Sequence, residues 1–209
     1  MKGILLKDWY LLWRQGKFMF LLALVYLILS AAGENQFFGG FAILFLSMLP
    51  MTTLGLDERS RWDRYAVTLP ITRRQLVLEK YLLALIGLFI GCFLYLLFSL
   101  TGAAVRQHPF DLGGAFLILI PMVSGSLLFS ALHFPITFQL GVEKARLWFM
   151  LIIALVAAVI GGLVGWISSA QQELSSLNLG WMVWLLPASA LLFALSAILS
   201  VRIYEAREL

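Results

Sequence analysis

The chain has 209 residues, of which 62% are hydrophobic and 12% are charged, and its formal net charge is +4. Soluble domains are about 45–50% apolar, so this composition excludes an ordinary soluble protein. Apolar runs recur along the whole sequence and are separated by short polar connections. We therefore expect an all-α integral membrane protein.

Residues 1–15, MKGILLKDWYLLWRQ, are too few to cross a bilayer as a helix. At helical spacing, Lys7 and Arg14 lie opposite an apolar face made of Leu5, Leu6, Trp9, Leu12 and Trp13. This pattern predicts an amphipathic helix that lies in the membrane interface. The alternative is that these residues begin the first membrane span, but Gly16 and Lys17 interrupt the pattern.

Six later stretches are long and apolar enough to cross a hydrocarbon core about 30 Å thick, which requires roughly 20 helical residues. We place these spans at 18–33, 38–56, 81–104, 112–132, 147–168 and 179–201. Three of them contain a proline that should kink the helix: Pro50, Pro121 and Pro187. Two pairs of glycines permit close helix approach, either within the chain or across a dimer: Gly87 with Gly91, and Gly161 with Gly165.

Lysine and arginine are distributed unequally between the predicted connections. The ends of the chain and the connections after the second and fourth spans contain 14 of the 15 basic residues, and Arg106 alone lies on the other side. Because basic residues favour the cytoplasmic side, both termini are predicted to be cytoplasmic. This topology accounts for the basic composition, so we expect no nucleic-acid partner.

Several kinds of chemistry are absent from the sequence. The predicted spans contain no charged residue or histidine at mid-depth, which disfavours ion-coupled transport. His108 and His133 are predicted at opposite membrane faces, so neither could activate a serine at 124 or 126, and an intramembrane hydrolase is disfavoured. No glycine-rich phosphate loop is present. We therefore expect no catalytic residue, cofactor or metal in this chain, and a source of energy in another polypeptide.

The connection between the second and third spans is rich in charge, with ten of the 26 charged residues in the range 57–80. Thr72 and Gln75 fit a capping box, which predicts that a helix begins at Arg73. The stretch 57–67 is then predicted to be a separate short helix. Four of its residues are predicted to share one face: Glu58, Arg61, Trp62 and Tyr65.

The mixture of aromatic and charged residues in this stretch predicts a contact with a protein. Tryptophan, tyrosine and arginine dominate protein interfaces, and a connection that is only solvated has no need of Trp62. The alternative is anchoring to lipid headgroups, which purely basic residues would serve better.

Four segments resemble the permease subunits of ABC-2 type exporters: MKGILLKDWYLLWRQ, SMLPMTTLGLDERSRWDRYAVTLPITRRQLVLEKYL, FPITFQLGVEKARLWFM and RIYEAREL. The resemblance covers the whole chain and is to the small six-span branch that includes bacterial permeases for phenol-soluble modulin peptides. It implies one transmembrane permease domain over 1–209 in the bacterial cytoplasmic membrane. It also implies a dimer, with itself or with a related permease, that binds two copies of a separate ATPase, which holds ATP and magnesium.

The resemblance further implies that a coupling helix in the stretch 57–67 contacts the ATPase. That role falls on Glu58, Arg59, Arg61, Trp62, Asp63, Arg64 and Tyr65. A second cytoplasmic contact, or a structural clasp, falls on Glu143, Lys144 and Arg146. The implied activity is export of amphipathic peptides, cytolytic or antimicrobial, or of lipid-like compounds. The alternative is an immunity or scaffold protein that binds such peptides without pumping them.

Overall fold

A computed structural model describes residues 2–33, 37–66, 68–107, 110, 112–148, 150–151 and 182–206. In these residues all regular structure is helical, as the composition predicts. The helices are α1 (Lys2–Gln15), α2 (Lys17–Ala32), α3 (Phe37–Ser47), α4 (Leu49–Arg59), α5 (Trp62–Ala66), α6 (Arg73–Val105), α7 (Leu112–Leu140) and α8 (Met182–Glu205). Residues 142–148 are also helical.

Four helical segments in the described ranges are long and apolar enough to cross a membrane: Phe38–Arg59, Arg73–Val105, Leu112–Leu140 and Val183–Glu205. They coincide with the predicted second, third, fourth and sixth spans. A fifth crossing is possible if α1 and α2, which meet at an angle of 72°, count as one bent span. Most of the predicted fifth span, 147–168, lies outside the described residues, so the number six stays a prediction.

The beginning of α6 follows from a local sequence signal. The Thr72 side chain accepts a hydrogen bond from the Gln75 backbone N–H at 3.3 Å, and the Gln75 side chain accepts one from the Thr72 N–H at 3.2 Å. This reciprocal capping box satisfies two amides that have no partner within the helix. The prediction that a helix begins at Arg73 is confirmed.

Pro50 interrupts the second predicted span. The chain turns at Met48 between α3 and α4, and Pro50 lies in the first turn of α4. The missing N–H of proline breaks no hydrogen bond at that position. The predicted kink is therefore a break between two helices, whereas Pro121 and Pro187 lie inside helices that continue past them.

The glycines of α6 allow it to pack directly on α3. A Cβ added at Gly87 would collide with the backbone carbonyl of Leu46, and one at Gly91 would lie 3.0 Å from the Ile43 Cα. Of the two roles left open for this pair, packing within the chain is the one observed. Gly161 and Gly165 lie outside the described residues.

A buried polar contact joins α6, α7 and α8. The Tyr81 hydroxyl lies 2.7 Å from the Oγ atoms of both Ser196 and Ser200, and Ser196 donates to the Ala131 carbonyl at 2.6 Å. Buried hydroxyl groups without partners are costly, so these bonds fix the relative positions of the three helices.

Contacts at the helix ends sort the connections into two groups. Arg73, at the beginning of α6, donates to the Glu205 carbonyl at the end of α8, at 3.1 Å. We call this end of the bundle, which also contains α1 and α5, the α5 end. Arg106 lies at the opposite end and donates to the Ala31 carbonyl at 2.7 Å. This grouping agrees with the predicted charge partition, while the side of the membrane on which each end lies stays a prediction.

Candidate functional site

The stretch 57–67 is not one helix, and that prediction is wrong. α4 continues to Arg59, and the Ser60 N–H still bonds to the Leu56 carbonyl at 3.0 Å. Arg61 has a φ of 53°, in the left-handed region that a right-handed helix cannot include, and α5 begins only at the next residue. The membrane helix runs past its last apolar residue because Asp57 is buried and ion-paired rather than solvated.

The predicted shared face is wrong for the same reason. Glu58 lies at the end of α4, Arg61 in the turn, and Trp62 and Tyr65 in α5. The side chains of Asp63 and Arg64 lie outside the described part of the chain. Four of the seven predicted contact residues are exposed, and Glu58 is one of them. The other three, which we call the exposed tip at the α5 end, are Arg59, Arg61 and Tyr65.

Trp62 faces the protein rather than solvent. It is half-buried and packs against the hydrophobic cluster that includes Ile4 and Ala66. The Nζ of Lys7 lies 4.2 Å from the centre of the indole ring, in a cation–π contact. The indole nitrogen is buried and has no hydrogen-bond partner among the described residues. Trp62 therefore holds α5 against α1 and presents little of its surface to a partner.

Glu58 links the end of α4 to the segment after α7. Its Oε2 accepts a hydrogen bond from the Val142 N–H at 2.5 Å. Gly141 has a φ of 84°, and a Cβ at this position would lie 2.8 Å from the Glu58 Oε1. Backbone conformation thus favours glycine at this contact, and a larger residue would in addition displace the Glu58 carboxylate.

The clasp contact is made by the Val142 backbone and not by the side chains predicted for it. Glu143, Lys144 and Arg146 are all exposed on the helical residues that follow. Their assignment as a second partner contact is untested. Glu143 and Arg146 also border a cavity of about 490 Å³ whose other lining residues are Met19, Met51, Thr52, Gly55, Leu56, Glu58, Arg59 and Val142. Both predicted contact regions therefore meet at one cavity.

Behind the exposed tip lies a buried charge cluster, formed by Lys7, Asp8, Asp57, Glu79 and Lys80. The side chains of Asp8 and Glu79 are 0% exposed, those of Lys80 and Asp57 are 5% and 7% exposed, and Lys7 is 21% exposed. A buried charge is tolerated only when it is paired and hydrogen-bonded. These residues lie on α1, α4 and α6, so their pairing connects three helices.

Lys80 is the centre of the buried charge cluster. Its Nζ pairs with Asp8, lies 2.7 Å from Asp57 Oδ2, and donates to Thr53 Oγ1 at 3.1 Å. Lys7 lies 2.6 Å from Asp57 Oδ1 and 3.0 Å from Asp8 Oδ1. Burial alone would raise the pKa of the Asp8 carboxyl, but the positive charges of Lys80 and Lys7 outweigh it and hold that pKa below its ordinary value.

The sequence interpretation missed this cluster and misplaced part of α1. Leu12 is predicted to share a face with Trp9 and Trp13, yet Leu12 is buried while both tryptophans are exposed. The buried stripe follows i, i+4, i+8 spacing, with Asp8 in its centre and Ile4 and Leu12 on either side. A carboxylate on a buried helix face must be paired with a cation. This requirement was the signal in the sequence from which an ion pair at Asp8 could have been predicted. Lys7, predicted to lie on the basic stripe, is ion-paired instead.

The model of the family described as "ABC-2 family transporter protein" matches residues 3–205. The chain belongs to this family. No curated protein and no solved structure matches it. Membership of the ABC-2 transporter family implies a membrane subunit that works with an ATPase partner. The resemblance to ABC-2 permeases is therefore confirmed at the level of the family, and the phenol-soluble modulin branch is untested.

Proposed function

We propose that this ABC-2 family protein is the transmembrane permease of an ATP-driven exporter in the bacterial cytoplasmic membrane, with both termini in the cytoplasm. The observation that carries the proposal is the exposed tip formed by Arg59, Arg61 and Tyr65. It lies at the end of the bundle to which the basic connections converge, where a cytoplasmic partner would meet the chain. The permease pairs with itself or with a related chain and binds two ATPase subunits, which hold ATP and magnesium.

The chemistry of the tip indicates what the ATPase surface offers. Tyr65 is 58% exposed, and Arg59 and Arg61, which precede it in the chain, are exposed and make no ion pair with the described residues. Such a tip fits an acidic groove with an apolar recess for the phenol ring. Trp62 supports this tip from behind and is a positioning residue in the proposed interface.

Movement of α5 would reach the membrane helices through the buried charge cluster. ATP binding brings the two ATPases together and displaces α5. Trp62 is stacked on Lys7 of α1, which is paired with Asp57 of α4, and Asp57 is paired with Lys80 of α6. Because removing one partner of a buried ion pair costs about 3–5 kcal/mol, these helices respond as one unit.

The proposed cargo is an amphipathic peptide or a lipid-like compound. The cavity of about 490 Å³ supports this class, since ligand pockets are typically about 300–1,000 Å³. Its wall combines Met19, Met51 and Leu56 with charged residues of both signs: Glu58, Arg59, Glu143 and Arg146. Methionine side chains adapt to apolar ligands of different shape, and the charged edge suits polar groups.

The decisive experiment is a binding measurement with the ABC ATPase that co-purifies with the full-length protein. Replacing Tyr65 by alanine should weaken the complex tenfold or more, which corresponds to about 1.4 kcal/mol. Tyr10→Ala is the matched control, because Tyr10 is similarly exposed, at 65%, but lies on α1. Trp62→Phe should retain most of the affinity, since it keeps a ring against Lys7. Equal losses for Tyr65→Ala and Tyr10→Ala would contradict the interface, and failure to bind any ATPase would favour the scaffold alternative.

A further inference from the structure

The buried charge cluster does not balance. It contains three carboxyl groups, on Asp8, Asp57 and Glu79, but only two ammonium groups, on Lys7 and Lys80. Among the described residues, these two lysines are the only cations within ion-pair distance of the three carboxyl groups. If every group were ionised, one negative charge would remain in a site where four of the five side chains are at most 7% exposed.

The distribution of hydrogen bonds shows which carboxyl group would carry the excess negative charge. The three N–H donors of Lys80 are taken by Asp8, Asp57 and Thr53. Glu79 lies on α6 next to Lys80, 3.6 Å from its Nζ, and neither of its carboxyl oxygens accepts a hydrogen bond in the described part of the chain. Its hydrogen-bonding neighbour is the carboxyl of Asp8, and two carboxyl groups can share a hydrogen bond only when one of them is protonated. A fully buried carboxylate that accepts no hydrogen bond is strongly destabilised by the loss of its hydration.

From this geometry we propose that Glu79 is a proton-binding site, which is occupied in the arrangement described here and brings the net charge of the cluster to zero. The charged groups that act on it are Lys80 from its own helix and Asp8 and Lys7 from α1, while Asp57 of α4 is paired with the two lysines. Both aspartates accept a hydrogen bond from Lys80, and Asp57 accepts another from Lys7, whereas Glu79 accepts none, so the proton resides on Glu79. Although three carboxyl groups meet in the cluster, no arrangement of three metal-binding side chains that could hold a metal ion occurs in the described residues.

The proton makes the packing of α1 against α4 and α6 dependent on pH. If α1 moves away, water reaches Glu79, the carboxyl ionises and one proton leaves. The packed arrangement thus binds one more proton than the separated one, and raising the pH disfavours it. The equilibrium between the two shifts by up to about tenfold for each pH unit. This inference concerns the permease alone and holds whether or not the proposed ATPase partner is correct.

Infrared spectroscopy of the purified full-length protein tests the proposal directly, because a protonated carboxyl has a C=O band that a carboxylate lacks. At neutral pH the wild-type spectrum should contain this band, and Glu79→Gln should lack it. Glu143→Gln, which changes an exposed carboxyl, should retain it. A wild-type spectrum identical to that of Glu79→Gln in this region would overturn the proposal.

A second variant separates charge balance from a structural effect of the first. Asp57→Asn leaves two carboxyl groups for two lysines, so Glu79 should ionise and the band should disappear although Glu79 itself is unchanged. Persistence of the band in Asp57→Asn would contradict the charge-balance origin of the proton. If Glu79→Gln fails to fold, the wild-type band should still decrease as the pH is raised, and a band that is constant over pH 5–9 would also overturn the proposal.

Discussion

Replacing Lys80 by methionine should destabilise the protein more than any other single change at the α5 end. Methionine retains the length and most of the apolar volume of lysine but removes its positive charge. Asp8 and Asp57 then lose the ammonium group that lies between them, and Thr53 loses a donor. Lys7 remains as the only cation of the buried charge cluster.

The size of this destabilisation depends on how the two aspartates respond to the loss of the Lys80 ammonium group. Removing one partner of a buried ion pair costs about 3–5 kcal/mol. Protonation of the unpaired carboxylate sets an upper limit on this cost. For an aspartate of ordinary pKa, protonation at pH 7 requires about 4 kcal/mol. In a chain of this size 1 kcal/mol corresponds to roughly 2–4 °C in melting temperature, so we expect a decrease on the order of 10 °C for Lys80→Met.

The assay is thermal unfolding in detergent, compared with Lys144→Met as a control. Lys144 is exposed, and its replacement should change stability by no more than about 0.5 kcal/mol. The defect of Lys80→Met should become smaller as the pH is lowered from 7 to 5, since protonating the orphaned carboxyls costs about 1.4 kcal/mol less for each unit. Equal melting temperatures for the two variants, or a defect of Lys80→Met that grows at low pH, would refute this account of the cluster.

Three further results are expected. Gly87→Ala should lose about 1–3 kcal/mol by pushing α6 away from the Leu46 carbonyl, whereas Gly125→Ala, with nothing within 4 Å, should be neutral or slightly stabilising in the same melts. Glu58→Gln should speed hydrogen exchange of the Val142 amide by about fivefold, because an exposed charged hydrogen bond worth about 1 kcal/mol is weakened; unchanged exchange would exclude the clasp. A membrane-impermeant reagent should label tags at both termini only after cells are opened, and labelling of intact cells would reverse the predicted topology.

Features set by neighbouring residues were predictable from the sequence. The capping box of Thr72 and Gln75 involves residues three apart, and it correctly gave the beginning of α6. The small side chains of Gly87 and Gly91 indicated close helix contact without naming the partner helix, which is α3. Long apolar runs gave four of the spans because hydropathy is a property of a single segment.

The buried charge cluster was not predictable in this way because it depends on residues far apart in the chain. Lys80 is separated by 72 residues from Asp8 and by 23 from Asp57. High charge density at 57–65 indicated a surface that contacts a partner protein, but successive helical positions point in different directions. Asp57 therefore turns inward while Arg59, two positions later, is exposed. Charge counted along a segment cannot distinguish the two directions, and only the position of α1 does so.

The length of α6 has a mechanical consequence. Its 33 residues, at about 1.5 Å each, give a rod about 50 Å long with no proline, against a hydrocarbon layer of about 30 Å. Such a rod protrudes well beyond the lipid tails and has no hinge at which a tilt could be absorbed. A rotation imposed near Arg73 must therefore also displace Arg106 at the opposite end of the helix. The two ends of a transport path beside α6 would then open and close together.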